Sequence, residues 1–175
     1  MLKPVKSKSF CAGDARFAIV ASKYNARYVD AMLRAARAEL KRAGAGAVQV
    51  VRVPGAYEIP VVAARLARTG FQYATRLAAS KRSEDMNMQP MFSAIICLGV
   101  ILRGETTHAA HIGEAVSRAL MEIQLEHEVP VVHEVLLLEN EQQARVRCLG
   151  RKHNRGAEAA QTALAMAQVM EDLRP

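Results

Sequence analysis

The chain has no tryptophan, only four tyrosines and four phenylalanines, and three cysteines in 175 residues. Each shortage excludes something. The aromatics are not interleaved with the basic residues, so stacking platforms for nucleic-acid bases are not apparent. Cys11, Cys97 and Cys148 are an odd set, far apart, without the paired spacing of a zinc site or a redox motif, and a reducing compartment suits them best. No apolar run approaches the roughly 18 residues of a membrane span, and no apolar h-region follows the N-terminal lysines. The chain therefore reads as a cytoplasmic protein without a membrane partner. No Gly-x-x-x-x-Gly-Lys loop, Gly-x-Gly-x-x-Gly fingerprint or Gly-x-Ser-x-Gly elbow occurs, which leaves nucleotide hydrolysis and serine-hydrolase chemistry poorly supported.

What is present is enough for one packed core: 51% of the residues are hydrophobic, and the length is that of a single domain spanning residues 1–175. The formal charge of +7 suits nucleic acid, an anionic surface or a small phosphorylated substrate. The basic residues are scattered apart from "KPVKSK" at the start and "RCLGRKHNR" late in the chain. No long stripe follows a nucleic-acid backbone, so nucleic acid is not an expected partner.

Four apolar runs have strand character: "RFAIVAS" around Ala18, Val48 to Val53, Phe92 to Ile101, and Val129 to Leu138. Three of them are nearly continuous in hydrophobicity, the pattern of parallel strands covered on both faces. Helical periods lie between them. Tyr28, Met32, Ala36 and Leu40 share one helix face, and Ile112, Val116, Ala119 and Ile123 another. A second helix is expected from Tyr57 to Thr69, with Pro60 in its opening turn, and a last one after Gly156 groups Ala160, Ala163, Leu164 and Ala167. The alternation predicts an α/β fold, a three-layer α/β/α sandwich on a four-stranded parallel sheet. Ala74 to Met91, "ATRLAASKRSEDMNMQPM", is polar, charged and without a clean period, and reads as a surface insertion.

Ligands of such sheets collect beyond the carboxyl ends of the strands, where "SKYN", "PGAYE", "RGETTH" and "LLEN" fall. In "RGETTH", Gly104 permits close backbone approach, and the amides opening the next helix suit an anion such as phosphate, with the Thr106 hydroxyl beside them. An ordinary helix cap by Thr106 or Thr107 accounts equally well for the threonines. His108 has a ring that exchanges protons near neutral pH, although a lone histidine in such a place is more often ordinary than catalytic. Glu58 near a helix start is already explained by the macrodipole. Tyr24 offers a flat face to a heterocycle and Asn25 a donor and acceptor, with a turn and a cap as the plain alternative. Arg147, Arg151, Lys152 and Arg155 form a charge run that is usually a solvated face, but an arginine reaching the rim would hold phosphate with two donors.

The order and spacing of "FAIVASKYN", "VVRVPGAYEIPVVAARLA", "CLGVILRGETTHAAHI", "VPVVHEVLLLENEQQA" and "NRGAEAAQTALAMA" resemble the lumazine synthase family, over nearly the whole chain except the insertion. The resemblance implies a flavodoxin-like sandwich and a transferase of riboflavin biosynthesis. Its substrates would be 5-amino-6-(D-ribitylamino)uracil and 3,4-dihydroxy-2-butanone 4-phosphate, and its product 6,7-dimethyl-8-ribityllumazine, formed with neither metal nor organic cofactor. Carried over by motif, Tyr24 would stack on the pyrimidine beside Asn25. Gly55, Ala56, Tyr57 and Glu58 would hold the ribityl chain, and Ile101 and Leu102 would present backbone to the ring. Gly104, Glu105 and Thr106 would cradle phosphate, closed by Arg147, while His108 moves protons and Glu158 orients its imidazole. The family builds pentamers with sites between neighbouring subunits, and some members join twelve pentamers into icosahedral shells of 60 chains, so a homo-oligomer is implied.

The chain departs from that pattern in two places. Ala109, Ala110 and His111 stand where the family often has an aromatic, an acid and another aromatic, which would thin the pocket wall. At what is read as the end of the fourth strand, His133 and Glu134 replace an aromatic or apolar residue followed by glycine, and His133 is kept as a provisional substrate contact. These replacements favour the alternative reading, a non-catalytic flavin or lumazine-binding protein on the same scaffold. An RNA-binding module fits least.

Overall fold

In the computed structural model the described residues are 12–68, 91–150 and 153–174. They build β1 (Arg16–Ser22), α1 (Ala26–Arg42), β2 (Ala47–Val53), α2 (59–68), β3 (Ala94–Leu102), α3 (His108–His127), β4 (Val131–Leu138), α4 (Glu141–Cys148) and α5 (Arg155–Asp172). All strand pairings are parallel, in the order β2-β1-β3-β4. That is the order of a flavodoxin-like sheet, in which the chain reverses direction of growth beside β1.

Burial follows the order of strands. Central β1 and β3 are buried almost end to end, so the continuous apolar runs of the sequence belong to them. The edge strands are only half covered: β2 alternates, and β4 leaves His133 and Leu137 exposed. Two apolar layers result. Phe17, Ile19, Ala21, Ile96 and Leu98 face α1 and α5, while Ala18, Val20, Ile95 and Cys97 face α2 and α3.

The contact of α1 with α5 is unusually close. A side chain added at Gly156 would lie 2.0 Å from the carbonyl oxygen of Met32, so only glycine lets the backbones approach this far. α4 has no counterpart among the expected elements. Asn140 caps it by accepting from the Gln143 amide at 3.0 Å, and it buries just Ala144 and Cys148. The expected second helix begins two residues later than predicted, at residue 59, because Tyr57 and Glu58 lie in the preceding turn. Thr69, Cys11, Arg151 and Lys152 lie outside the described residues. So does the expected insertion, except for Met91, which packs partly buried against the α2/α3 layer.

Candidate active site

Three hydrogen bonds draw the expected rim together. The Tyr24 amide donates to the Pro54 carbonyl at 3.1 Å, the Asn25 side chain to the Val100 carbonyl at 2.8 Å, and the Arg103 amide to the Leu138 carbonyl at 2.8 Å. The carboxyl ends of β2, β1, β3 and β4 are thus sewn into one row, and "SKYN", "PGAYE", "RGETTH" and "LLEN" share it. Arg103 and Glu139 add an exposed ion pair of 2.9 Å at the β3 and β4 end.

Asn25 performs its part through an uncommon backbone. It precedes α1 in the left-handed region, φ 54°, which asparagine tolerates better than most residues. Its side chain caps nothing and instead reaches across to β3. Tyr24 beside it is 72% exposed, a large bare aromatic surface on the rim. Gly55 lies under that ring: an added Cβ would meet Tyr24 at 3.3 Å and the Glu58 carboxylate at 2.9 Å. Glu58 accepts from the Gly55 amide at 2.8 Å, so locally it is a turn-closing carboxylate. Tyr57 is exposed and Ala56 buried.

At the end of β3, Ile101 and Leu102 finish the strand, and the six residues from Arg103 to His108 are all exposed. Gly104 faces open space, with nothing within 4 Å of where a Cβ would sit. Thr107 stands at the cap position of α3 but makes no capping bond, and Thr106 accepts only a long 3.4 Å bond from the His108 amide. The cap explanation for these threonines is therefore weak. Both threonines are exposed beside Glu105 and His108, at a helix start where partial positive charge favours an anion.

Other expected residues lie elsewhere in the chain. His133 is the third residue of β4, paired in register with Cys97, and not at the strand's end. Alternation turns it toward α3, where its Nε2 lies 2.9 Å from Ser117 Oγ. Since that hydroxyl already donates to the Gly113 carbonyl at 2.7 Å, the ring nitrogen is the donor. Desolvation lowers the His133 pKa below the ordinary histidine value. Ala109 is buried in the α2/α3 layer, while Ala110 and His111 are exposed.

Glu158 does not orient His108 within one chain. It opens α5 on the opposite face of the sheet from α3, and its Oε2 accepts from Arg155 at 2.7 Å. Arg155 in turn grips Glu134 on β4, its Nε to Oε1 at 2.6 Å and a terminal nitrogen to Oε2 at 3.1 Å. Arg147 sits exposed in the last turn of α4, near this cluster, and not over the Gly104 cradle. Burial raises the Glu134 pKa, against the pull of Arg155 and Arg147. Burial, with the Glu134 charge beside it and against the pull of Arg147 and Arg155, pushes the Cys148 thiol up to about 11. The Glu134 to Arg155 pair went unread in the sequence, where the only signal was one acid inside an apolar strand. Among the described residues, no group of three or more His, Cys, Asp or Glu side chains is arranged to hold a metal ion.

A flavodoxin-like sandwich with an exposed aromatic, a glycine-backed turn and an exposed helix start along one strand-end row defines an α/β protein whose candidate site lies at the carboxyl ends of its strands. The family profile described as 6,7-dimethyl-8-ribityllumazine synthase matches residues 14–171. Proteins of that name from Xanthomonas oryzae pv. oryzae (strain PXO99A) and Xanthomonas campestris pv. campestris (strain B100) are 39% and 40% identical over 159 residues, covering 90% of each chain. One from Stenotrophomonas maltophilia (strain R551-3) is 38% identical over 161 residues, 91% of each. The chain belongs to the 6,7-dimethyl-8-ribityllumazine synthase family. It is a transferase of riboflavin biosynthesis.

Proposed function

We propose that the chain joins 5-amino-6-(D-ribitylamino)uracil to 3,4-dihydroxy-2-butanone 4-phosphate in a site completed by a second copy of itself. The observation that carries this reading is the division of the expected residues into two half-sites. One is the rim of Tyr24, Asn25, Gly55 to Glu58, Ile101, Leu102 and Gly104 to His108. The other is the cluster of Glu134, Arg147, Arg155 and Glu158, on a different part of the surface. A ring of copies in which each rim faces the next copy's cluster reunites them. The homopentamer of the family resemblance is such a ring.

In that arrangement Tyr24 stacks on the uracil, the Gly55 turn lies along the ribityl chain, and the opening of α3 binds phosphate through backbone amides and Thr106. The neighbour's Arg147 closes over the phosphate with its planar fork of donors. His108 carries protons during imine formation and phosphate elimination, and the neighbour's Glu158 steadies it. His133, on the α3 face of β4, is turned away from the second half-site and has no substrate contact in this arrangement. Most of the acceleration comes from holding both substrates together, since amine attack on a ketone proceeds readily once the two are aligned. The protein works in the cytoplasm; among the described residues no helix is long and apolar enough to cross a membrane.

The test is to mix both substrates with purified protein and follow lumazine fluorescence and phosphate release. Formation well above the spontaneous rate is expected. Binding of lumazine or flavin without any acceleration would instead establish the binding-protein alternative that the His133 and Glu134 replacements suggest.

A further inference from the structure

We propose that Glu134 is a positioning residue for the condensation: from beneath α5 it fixes Arg155, and through Arg155 the carboxylate of Glu158, in the half-site that one copy presents to the next. This rests on the shared-site reading above. Glu134 is 3% exposed in a strand otherwise made of apolar residues and His133. A carboxylate in such a place is costly unless fully paired, and an apolar side chain of like volume would serve packing at least as well. What the carboxylate adds is direction.

Both its oxygens are engaged by one guanidinium, through Nε and a terminal nitrogen, which fixes the plane of Arg155 as well as its position. The remaining terminal nitrogen is thereby aimed at Glu158 Oε2. Arg155 and Glu158 are each about one-third exposed, so a buried foot carries two groups that reach the surface. Without Glu134 the two would form an ordinary i,i+3 surface pair, free to sample several rotamers. Arg147, the other charged neighbour acting on Glu134, lies on α4 and reaches its own place independently.

The experiment is steady-state kinetics of the full chain with both substrates, for wild type, Glu134→Gln, Arg155→Gln and the double variant, with melting temperatures measured alongside. Glu134→Gln is expected to lower kcat by about tenfold, the scale of a small misplacement in a held geometry, with KM for either substrate changed by less than about twofold. The double variant should match Arg155→Gln alone, because Glu134 acts only through that side chain. Arg155→Lys keeps the charge but not the double grip and should reproduce the loss, which covers the case of a Glu134 variant that does not fold.

Wild-type kcat in a folded Glu134→Gln protein, wild-type kcat in Arg155→Lys, or losses that multiply in the double variant would each overturn the proposal. A wild type that makes no lumazine above background would overturn the shared-site reading and this role with it. An active wild type with an indifferent Glu134→Gln would overturn this role alone.

Discussion

His108 begins α3 exposed to solvent, and among the described residues no hydrogen bond holds its ring. Under the proposed function it is a proton carrier added to a site that works mainly by alignment. His108→Ala should slow turnover by about a hundredfold to ten-thousandfold without abolishing it, as read from steady-state lumazine formation. Asn25 carries two jobs that substitution separates. Asn25→Ala loses the bond to Val100 and leaves a β-carbon in left-handed backbone, for a cost of about 2 kcal/mol in chemical denaturation. Asn25→Gly keeps the backbone relaxed and should cost about half as much.

At this scale the sequence disclosed residue types and left out their partners. The rim motifs were legible because strand ends, glycines and helix starts are local. Glu158 was matched to His108 through the family resemblance, and the sequence does not disclose that within one chain the two lie on opposite faces of the sheet. The partner of Glu158 within the chain, Arg155, is three residues away, and Glu134 is twenty-one residues from Arg155.

Among the elements, α1 and α5 meet through Gly156, where a methyl group would overlap the Met32 backbone. Gly156→Ala should destabilise the fold by about 3 kcal/mol or prevent soluble expression, since backbone on a packed helix cannot yield as a flexible side chain can. β4 supplies a pH effect through His133. Its folded pKa is depressed, so between that value and about 6.5 the unfolded chain binds more protons, and this contribution to stability disappears as pH falls. Glu134 has the opposite sign: its raised pKa means that its contribution grows as pH falls past it. Calorimetry from pH 8 to 5 should find a smaller fall in melting temperature for His133→Gln than for wild type.

The long elements were readable from their periods and α4 was not, for a physical reason. Eight residues, "EQQARVRC", bury only two small side chains and have no apolar stripe to announce a helix. Its stability comes from the Asn140 cap and from packing that the sequence alone does not display. The placing of His133 at a strand end failed for a different reason. It came from the family pattern, whereas the apolar run read to Leu138 already marked where β4 meets the rim.

At the scale of the molecule, the parallel sheet leaves β2 and β4 as edges and divides the expected chemistry between separate surfaces. Two impaired proteins should then repair each other. Co-expressed His108→Ala and Arg147→Ala chains, mixed equally in one ring, would rebuild roughly a quarter of the sites with both residues intact. Activity of the mixture well above the mean of the two separate variants is the expected outcome, and an activity equal to that mean would rule out a site shared in this way. The fold itself was the most legible level, since alternating apolar strands and helical periods leave few topologies open.

Cys97 lies fully buried in β3 and Cys148 is packed beneath α4, with both thiols held protonated. Maleimide or disulfide reagents can modify them only when the interior gapes, because attack needs an accessible thiolate. In a Cys11→Ser background, the pace of alkylation would therefore be a chronometer native to the polypeptide: it reports how often the sandwich breathes, with no label added to any surface.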